Sequence, residues 1–317
     1  MWVVRSLSAA RRNVDGPLVL AAGFFDGVHR GHLRVLRAAL KRARGQSGPA
    51  AVMTFDPHPL QVIRPEQAPP LLMTTDWKLE RLAETGLDGC LLLRFDERMR
   101  ALRAAEFLAL LRRGLPTLNE LVVGRNWRAG SDQVAALDGL GGLMEERGLR
   151  LTLVPPVRLE GRVVSSTRIR TAVLRGRLED AARMLGQPFA VEGRVVSGCK
   201  VGRTLGFPTA NLDPGGLLLP PPGVYAGSAL VSGSWQPAAI SLGDRPTFPR
   251  RLAPRVLEIH VLDSIKLNLY RRRLRVRFLK RLRSNRAFAT PQALARQMER
   301  DIGVVRGLVQ ATGGKLR

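Results

Sequence analysis

The sequence predicts two domains of different class: an α/β doubly wound parallel sheet over residues 1–186, then an antiparallel β-barrel with a C-terminal helix over residues 187–317. Three observations predict it. Up to Gly186 short apolar runs alternate with segments of helical periodicity, the pattern of a parallel sheet covered by helices. Beyond Pro188 the texture changes to short β-rich runs punctuated by Gly and Pro, the spacing of an antiparallel barrel. A chain of 317 residues also exceeds what one hydrophobic core usually holds.

Composition narrows the class. Lys and Arg number 51 against 26 Asp and Glu, a formal net charge of +25 with pI near 11.7. That balance favours anionic partners, nucleotides among them, and predicts weak non-specific nucleic-acid contact. Aromatics are only 5% of the chain, and no zinc-finger, RNP-type or helix-turn-helix pattern turns the charge into base readout. Nucleic-acid binding as the main function is disfavoured, and an Arg-rich solvated surface explains the charge as well. Two cysteines, Cys90 and Cys199, make neither a disulfide framework nor a metal knuckle. No apolar run approaches the ~18 residues of a membrane span, and Met1–Asn13 lacks the apolar core of a signal peptide. The expectation is a soluble, cytoplasmic protein with no membrane contact; nothing in the letters fixes its oligomeric state.

Leu18–Ala22 is an apolar run suited to a buried parallel strand. Gly23-Phe24-Phe25-Asp26-Gly27-Val28-His29-Arg30-Gly31-His32 follows, and then Leu33, Leu36 and Leu40 recur at helical spacing. The unit is strand, glycine-rich turn, helix. His29 and His32 share one face of the first helical turn, where free N–H groups and the positive end of the helix dipole gather. Gly31 removes a side chain where a ligand would press on the backbone. Such a turn can hold a polyphosphate. A surface turn whose histidines are solvated or cap the helix has the same letters, but two of the chain's four histidines fall here.

Ala50–Phe55 reads as the next buried strand, followed by Asp56-Pro57-His58-Pro59. The prolines end regular structure and leave His58 on a rigid loop at the strand's carboxyl end, the edge where open parallel sheets bind ligands. A loop histidine with no role fits equally. Asp76 is placed to cap a helix carrying Trp77, Leu79 and Leu82, and Gly86 to stop it. Cys90–Leu93 reads as a strand, Ala104–Arg113 as a helix closed by Gly114, and Leu121–Gly124 as a strand whose exit loop carries Asn126 and Trp127. Asn126 offers both a donor and an acceptor. Ser165-Ser166-Thr167-Arg168 sets hydroxyls and a guanidinium at a helix start, an array of phosphate donors or a simple cap. A helix over Leu178–Leu185 ends at Gly186, with Pro188 as a stop.

In the second domain Ala190–Val196 and Gly223–Ala226 read as strands. Between them, the stretch Gly198 to Asn211 mixes glycines with basic residues, the makings of a phosphate-binding loop or of a plain hairpin turn. No P-loop G-x-x-x-x-G-K-[ST] occurs in the chain. Leu257–Leu262 reads as a strand containing Glu258, a residue type that usually faces solvent. Arg271, Arg272, Arg273, Arg275 and Arg277 line a strand and its approach as a solvated basic face. Thr290-Pro291 opens a last helix, with Leu294, Met298, Ile302 and Val305 as its buried stripe.

The turn G-F-F-D-G-V-H-R-G-H resembles the signature of the HxGH nucleotidyltransferases, and in particular of prokaryotic FAD synthetases, the bifunctional riboflavin kinase/FMN adenylyltransferases. T-F-D-P-H-P at Thr54–Pro59, S-S-T-R-I-R at Ser165–Arg170 and G-R-T-L-G-F-P-T-A-N at Gly202–Asn211 are similar to further motifs of that family, in order, over about residues 14–305. The resemblance implies a Rossmann-like nucleotidyltransferase domain joined to a riboflavin kinase barrel, with riboflavin, FMN, FAD, ATP and Mg²⁺ as substrates, products and cofactors. It implies that His29, His32 and Arg168 stabilise transition-state charge, with ATP held by Gly23, Phe24, Phe25, Asp26, Gly31, Ser165, Ser166 and Thr167. His58, Asn126 and Arg283 match the family's flavin positions. In the second domain it assigns Gly198, Lys200, Gly202 and Arg203 to ATP and Thr209 and Asn211 to the metal. Glu258 matches the base for the ribityl 5′-hydroxyl; a free Glu of pKa about 4.3 suffices because phosphoryl transfer is loose and deprotonation late.

Departures from the family pattern gather in two places. Trp127 and Ala129 stand where it usually has Phe, and Ser131-Asp132 where it has Arg. Arg271 stands where it has Gly after Tyr270; if that turn needs positive φ, Arg271 is strained. Three further readings share these letters: the fold with one activity retained, a basic RNA- or ribosome-associated binder using the fold as a scaffold, and an adenylyltransferase of a different phosphate ester, against which T-F-D-P-H-P and P-T-A-N speak.

Overall fold

The computed structural model describes residues 1–135, 139–197, 206–243, 256–262 and 270–311. Its contacts divide the chain into two compact units: Met1–Pro70 with Thr74–Ser166, and Leu71–Met73 with the chain from Thr167 onward.

The first unit runs β1 (Trp2–Val4), α1 (Leu7–Arg11), β2 (Leu18–Ala22), α2 (Arg30–Arg44), β3 (Ala50–Asp56), α3 (Pro59–Ile63), α4 (Thr75–Ala83) and β4 (Gly89–Arg94). It continues with α5 (Glu97–Ala101), α6 (Ala104–Gly114), β5 (Leu118–Gly124), the hairpin β6 (Arg128–Ala129) and β7 (Val134–Ala135), α7 (Leu140–Glu145), β8 (Arg150–Val154) and the hairpin β9 (Arg158–Leu159) and β10 (Arg162–Val163). Six strands pair in parallel in the order β1-β4-β3-β2-β5-β8. β2 is buried along its whole length and β3 up to Phe55, which is why both are written as continuous apolar runs. Leu18, Leu20, Met53, Leu91 and Leu121 of the sheet join Phe107, Leu108 and Leu111 of α6 in one core. From β2 the sheet grows through β3 and β4 on one side and through β5 and β8 on the other, so the carboxyl end of β2 is its topological switch point. The glycine-rich turn starts there.

At the opposite, amino-terminal edge the fully buried Glu120 ties α2 to the sheet. Its carboxylate takes Arg42 Nε at 2.7 Å and Thr152 Oγ1 at 2.6 Å. Burial pushes its pKa up, but these bonds, the Arg42 charge and Gln46 outweigh it and hold the group below the ordinary Glu value.

Helix α4 differs from expectation. Thr74, not Asp76, caps it, accepting from the Trp77 N–H at 3.2 Å, and the buried face is Trp77, Lys78 and Leu82. A cap two residues earlier than foreseen starts the helix earlier, and its buried face takes in a lysine that the sequence leaves outside.

From α8 (Ser166–Leu174) the chain continues with α9 (Leu178–Leu185), β11 (Phe189–Val196), β12 (Ala210–Asp213), β13 (Gly223–Val231), β14 (Ser234–Gly243), β15 (Val256–Val261), β16 (Arg273–Arg283) and α10 (Pro291–Ala311). Gly186 closes α9 in the left-handed region, at φ +82. α8 and α9 lie between the division by contacts and the boundary at residue 186 expected from sequence. The six strands close a barrel in the order β11-β12-β15-β14-β13-β16, each pair antiparallel, so no edge is left open. Phe278 fills it, edge to face with Tyr225 at 5.2 Å and 6.1 Å from Phe189. At Gly227 a Cβ would stand 2.1 Å from the Arg277 carbonyl, so only glycine lets those strands approach.

The basic face expected on β16 is solvated only in part. Leu274, Val276 and Phe278 point inward, and Arg271 to Arg273 are exposed. Arg275 is half-buried and bound at 2.7 Å to Glu192, its register partner on β11; Arg277 lies 3.7 Å over the Trp235 ring. Arg271 does adopt φ +62, so the turn demands of an arginine a conformation that favours glycine. Among the described residues no helix is long and apolar enough to cross a membrane.

Candidate functional site

The turn after β2 is strained. Phe25 at φ +60 and Val28 at φ +37 occupy the left-handed region as buried non-glycine residues, with Gly27 at +85 between them. It ends at His29, the N-cap of α2, whose Nδ1 accepts the His32 N–H at 3.2 Å. His29 is only 4% exposed, and its ring stacks on His32 with centroids 3.5 Å apart and planes 16° from parallel. Capping and site formation therefore coincide. Because Nδ1 accepts, the proton of a neutral His29 resides on Nε2, a donor.

His32 is half-buried, with the Phe25 ring edge-on at 5.2 Å. Burial above all, then the neighbouring His29 and Lys78, push its pKa well below the ordinary value, so it is neutral at pH 7. Its Nδ1 is buried and has no hydrogen-bond partner. Gly31 stands close against the His29 ring. A Cβ there would lie 3.0 Å from His29 Cε1 and 3.1 Å from Nδ1, so the glycine makes room for the imidazole.

Ser166 Oγ donates to the Asp26 carbonyl at 2.9 Å, which brings Ser166 to the glycine-rich turn. Ser165 is half-buried beside it. Thr167 is exposed and Arg168 half-buried on the first turn of α8, in the stretch whose contacts group with the second unit.

A cavity of about 1070 Å³ opens on the carboxyl edge of the sheet, walled by Phe24, Phe55, Leu60, Phe95, Trp127 and Ala129 at or beyond the carboxyl ends of β2, β3, β4 and β5. Its aromatic faces suit a large planar ligand. His58 caps α3, its Nδ1 accepting the Leu60 N–H at 3.0 Å, and sets its ring edge-on to Phe24 at 4.2 Å. Asn126 is exposed in the tight turn closed by the Trp127 N–H on the Gly124 carbonyl at 2.9 Å. The residues that depart from the expected pattern bolt this loop to α5 and α6. Trp127 packs on Phe107, Asp132 accepts the Ala104 N–H at 2.9 Å, and Ser131 Oγ donates to the Ala101 carbonyl at 3.1 Å.

Sequence reasoning missed Lys78. It is 3% exposed, and its ammonium donates to the Phe24 carbonyl at 3.3 Å, Thr54 Oγ1 at 3.1 Å and the Phe55 carbonyl at 3.1 Å. Burial lowers its pKa to about 8, against the pull of Asp26, Asp56 and Cys90. The one local signal was its spacing of four from Leu82.

In the second unit a cavity of about 160 Å³ brings together Thr209, Glu258 and Arg283, with Ser241, His260 and Asp301 among its other walls. Leu257, Ile259 and Val261 of β15 point into the barrel, so Glu258 and His260 point the other way. Asn211 is buried opposite Glu258 in the β12–β15 register, and Ser241 is opposite it on β14. His260 Nδ1 lies 2.9 Å from the Pro208 carbonyl. Leu294, Met298 and Ile302 of α10 line the cavity and stay half-buried, while Val305 of the same expected stripe is fully buried. Asp301, also unforeseen, holds Arg283 through Nη2 at 2.8 Å and Nε at 3.1 Å, and is itself fixed by Gln297 Nε2 at 2.8 Å. Gly198, Lys200, Gly202 and Arg203 lie outside the described residues. Among the described residues no cluster of three or more His, Cys, Asp or Glu could hold a metal. The hard side-chain oxygens of Thr209 and Asn211 do suit Mg²⁺ once phosphate oxygens complete the set.

Known proteins resemble this chain along nearly its whole length. Residues 11–168 match the family model for FAD synthetase and residues 185–309 that for riboflavin kinase. The bifunctional riboflavin kinase/FMN adenylyltransferase of Pseudomonas fluorescens is 37% identical over 313 residues, 97% of this chain and 98% of that protein. That of Escherichia coli K12 is 37% identical over 95% of this chain and 96% of its own. The Bacillus subtilis protein of the same name is 32% identical over 89% and 90%. A crystal structure described as a macrolide-efflux protein from Streptococcus pneumoniae superposes with a TM-score of 0.82 at 28% identity, over 96% of this chain and 98% of that one.

Proposed function

The chain belongs to the bifunctional riboflavin kinase/FMN adenylyltransferase family, and from that premise we propose which residues carry each step. It phosphorylates riboflavin to FMN with ATP, then adenylylates FMN to FAD with release of pyrophosphate.

Adenylyl transfer is assigned to the turn after β2. A phosphate oxygen of FMN attacks the α-phosphorus of ATP, the bond from that phosphorus to the bridging oxygen breaks, and pyrophosphate leaves. The protein's task is alignment and stabilisation of growing negative charge. The observation that carries the assignment is His32, neutral, stacked on His29 at a helix N-terminus, with a buried Nδ1 lacking a partner. A phosphate arriving at this helix N-terminus supplies the negative charge the pair lacks, and that charge raises the His32 pKa. Gly23 to Asp26, Gly31, Ser165, Thr167 and Arg168 are assigned to the ATP phosphates. Ser166 contributes by fixing the turn through Asp26. The flavin ring is assigned to the aromatic cavity, with Asn126 at its polar edge and His58 holding Phe24 in place.

Riboflavin phosphorylation is assigned to the Glu258 cavity. The ribityl 5′-hydroxyl attacks the γ-phosphorus of ATP, Glu258 takes its proton, and ADP leaves. Arg283, aimed by Asp301, is assigned to the flavin. Thr209 and Asn211 would hold Mg²⁺, which neutralises phosphate charge when bound. Gly198, Lys200, Gly202 and Arg203 are assigned to the same ATP. Use of ATP at both steps fits a cytoplasmic setting.

The test is His32→Ala. Pyrophosphate release from FMN and ATP should fall about 100-fold or more, the scale of losing one charge-stabilising donor. Riboflavin phosphorylation by the same preparation should be unchanged. Equal loss of both, or of neither, would overturn the assignment.

A further inference from the structure

The buried ammonium of Lys78 has no part in either step as written, yet it sits behind the most strained segment of the first unit. Its three hydrogen bonds reach two elements: the Phe24 carbonyl in the glycine-rich turn, and Thr54 and Phe55 at the end of β3. Thr54 Oγ1 also donates to the Phe24 carbonyl, at 2.9 Å, so that one oxygen takes two donors. Lys78 Nζ lies 4.2 Å over the Phe24 ring, whose edge-on partner is His58. Immediately past Phe24 the backbone enters the left-handed region at Phe25 and again at Val28, one residue before His29. Buried non-glycine residues hold such angles only where their surroundings over-determine them. A buried ammonium is a costly way to satisfy two carbonyls and a hydroxyl that a neutral donor would satisfy, and such costs cluster at functional sites.

We propose that Lys78 is a positioning residue for FAD formation: its ammonium locks the strained turn Gly23–His29 to the carboxyl end of β3 and so fixes His29 and His32 for the phosphates of ATP. The inference rests on the assignment of adenylyl transfer to His29 and His32. Lys78 touches neither substrate nor the reacting atoms. Its effect falls on turnover more than on ATP binding, because misaligned histidines still bind phosphate but no longer meet the transition state.

The test uses the full-length Lys78→Met variant, which keeps the side-chain length and removes the charge. With FMN and ATP, kcat should fall about 30- to 100-fold, as ångström-scale misplacement does, while KM for ATP changes less than about threefold. Riboflavin phosphorylation by the same sample should be unchanged. Amide hydrogen exchange should quicken within residues 23–32 and stay slow in β2 and β5. A kcat for FAD formation within threefold of the parent would overturn the proposal, as would faster exchange throughout the sheet, which would mark general loosening. Thr54→Val, removing the second donor to the Phe24 carbonyl, should show a smaller fall of the same kind, and no fall would count against it. His29→Ala separates the two ideas. If that variant keeps FAD formation, the site assignment fails; if it loses FAD formation while Lys78→Met does not, only the role of Lys78 fails.

Discussion

Gly31→Ala puts the smallest perturbation on the most specific geometry. The added Cβ would stand 3.0 Å from His29 Cε1 and 3.1 Å from Nδ1, a few tenths of an ångström too close. The ring cannot move away freely, because it is buried, stacked on His32 at 3.5 Å and tied to the His32 N–H. If the cap bond breaks, the helix loses about 1 kcal/mol. Alanine in place of glycine returns up to about 1 kcal/mol of helix propensity. Stability should therefore hardly change. Activity should change, since a shift of a few tenths of an ångström at an aligned catalytic pair costs roughly tenfold, scaled from the hundredfold of a full ångström. FAD formation from supplied FMN is the assay, with riboflavin phosphorylation and the melting temperature of the same sample as controls. A variant of parental stability with FAD formation within twofold of the parent would refute the idea that Gly31 serves the His29 ring.

Other consequences follow from the same contacts. Lys78 has a folded pKa of about 8 against 10.5 in a free lysine, so between those values the unfolded chain binds the proton and the folded one does not. Stability of the first unit should then rise with pH across that window, by about 3 kcal/mol in all, and Lys78→Met should lack that rise. Urea unfolding at several pH values checks it, and parallel curves for the two proteins would contradict it. Asp132→Ala removes the side chain that accepts the Ala104 N–H at the start of α6, which should cost about 1 kcal/mol and leave FMN formation intact. Asp301→Asn weakens the charge-assisted grip on Arg283 and should raise KM for riboflavin about tenfold with kcat little altered. An unchanged KM would remove Arg283 from the flavin site.

The parts legible in the sequence were those set by local chemistry. A buried parallel strand followed by glycines and a helical stripe announced the turn after β2, and Gly186 announced the end of α9 through its need for positive φ. Conversely, what escaped depends on partners far along the chain. β1 and β8 are short edge strands, defined by pairing with β4 and β5 rather than by a pattern of their own. A lysine reads as a surface residue, and only partners elsewhere in the chain, Phe24 in the turn and Thr54 and Phe55 of β3, make burial of Lys78 tolerable. Asp301 sits on a helix of mixed polarity, and Arg283 and Gln297 around it reveal its use. Arg275 looked solvated because Glu192 lies on another strand. The loop at Trp127–Asp132 departs from its family's pattern, yet its substitutes brace the end of α5 and the start of α6, so the departure has a local structural account.

The central claim is that one chain carries two separate sites, the His29–His32 turn for FAD and the Glu258 cavity for FMN. The most direct measurement follows flavins by chromatography from His29→Ala and Glu258→Ala, each given riboflavin or FMN with ATP and Mg²⁺. His29→Ala should convert riboflavin to FMN and stop there. Glu258→Ala should leave riboflavin untouched and convert FMN to FAD at the parental rate. A folded variant of either kind that lost both steps together would contradict the account.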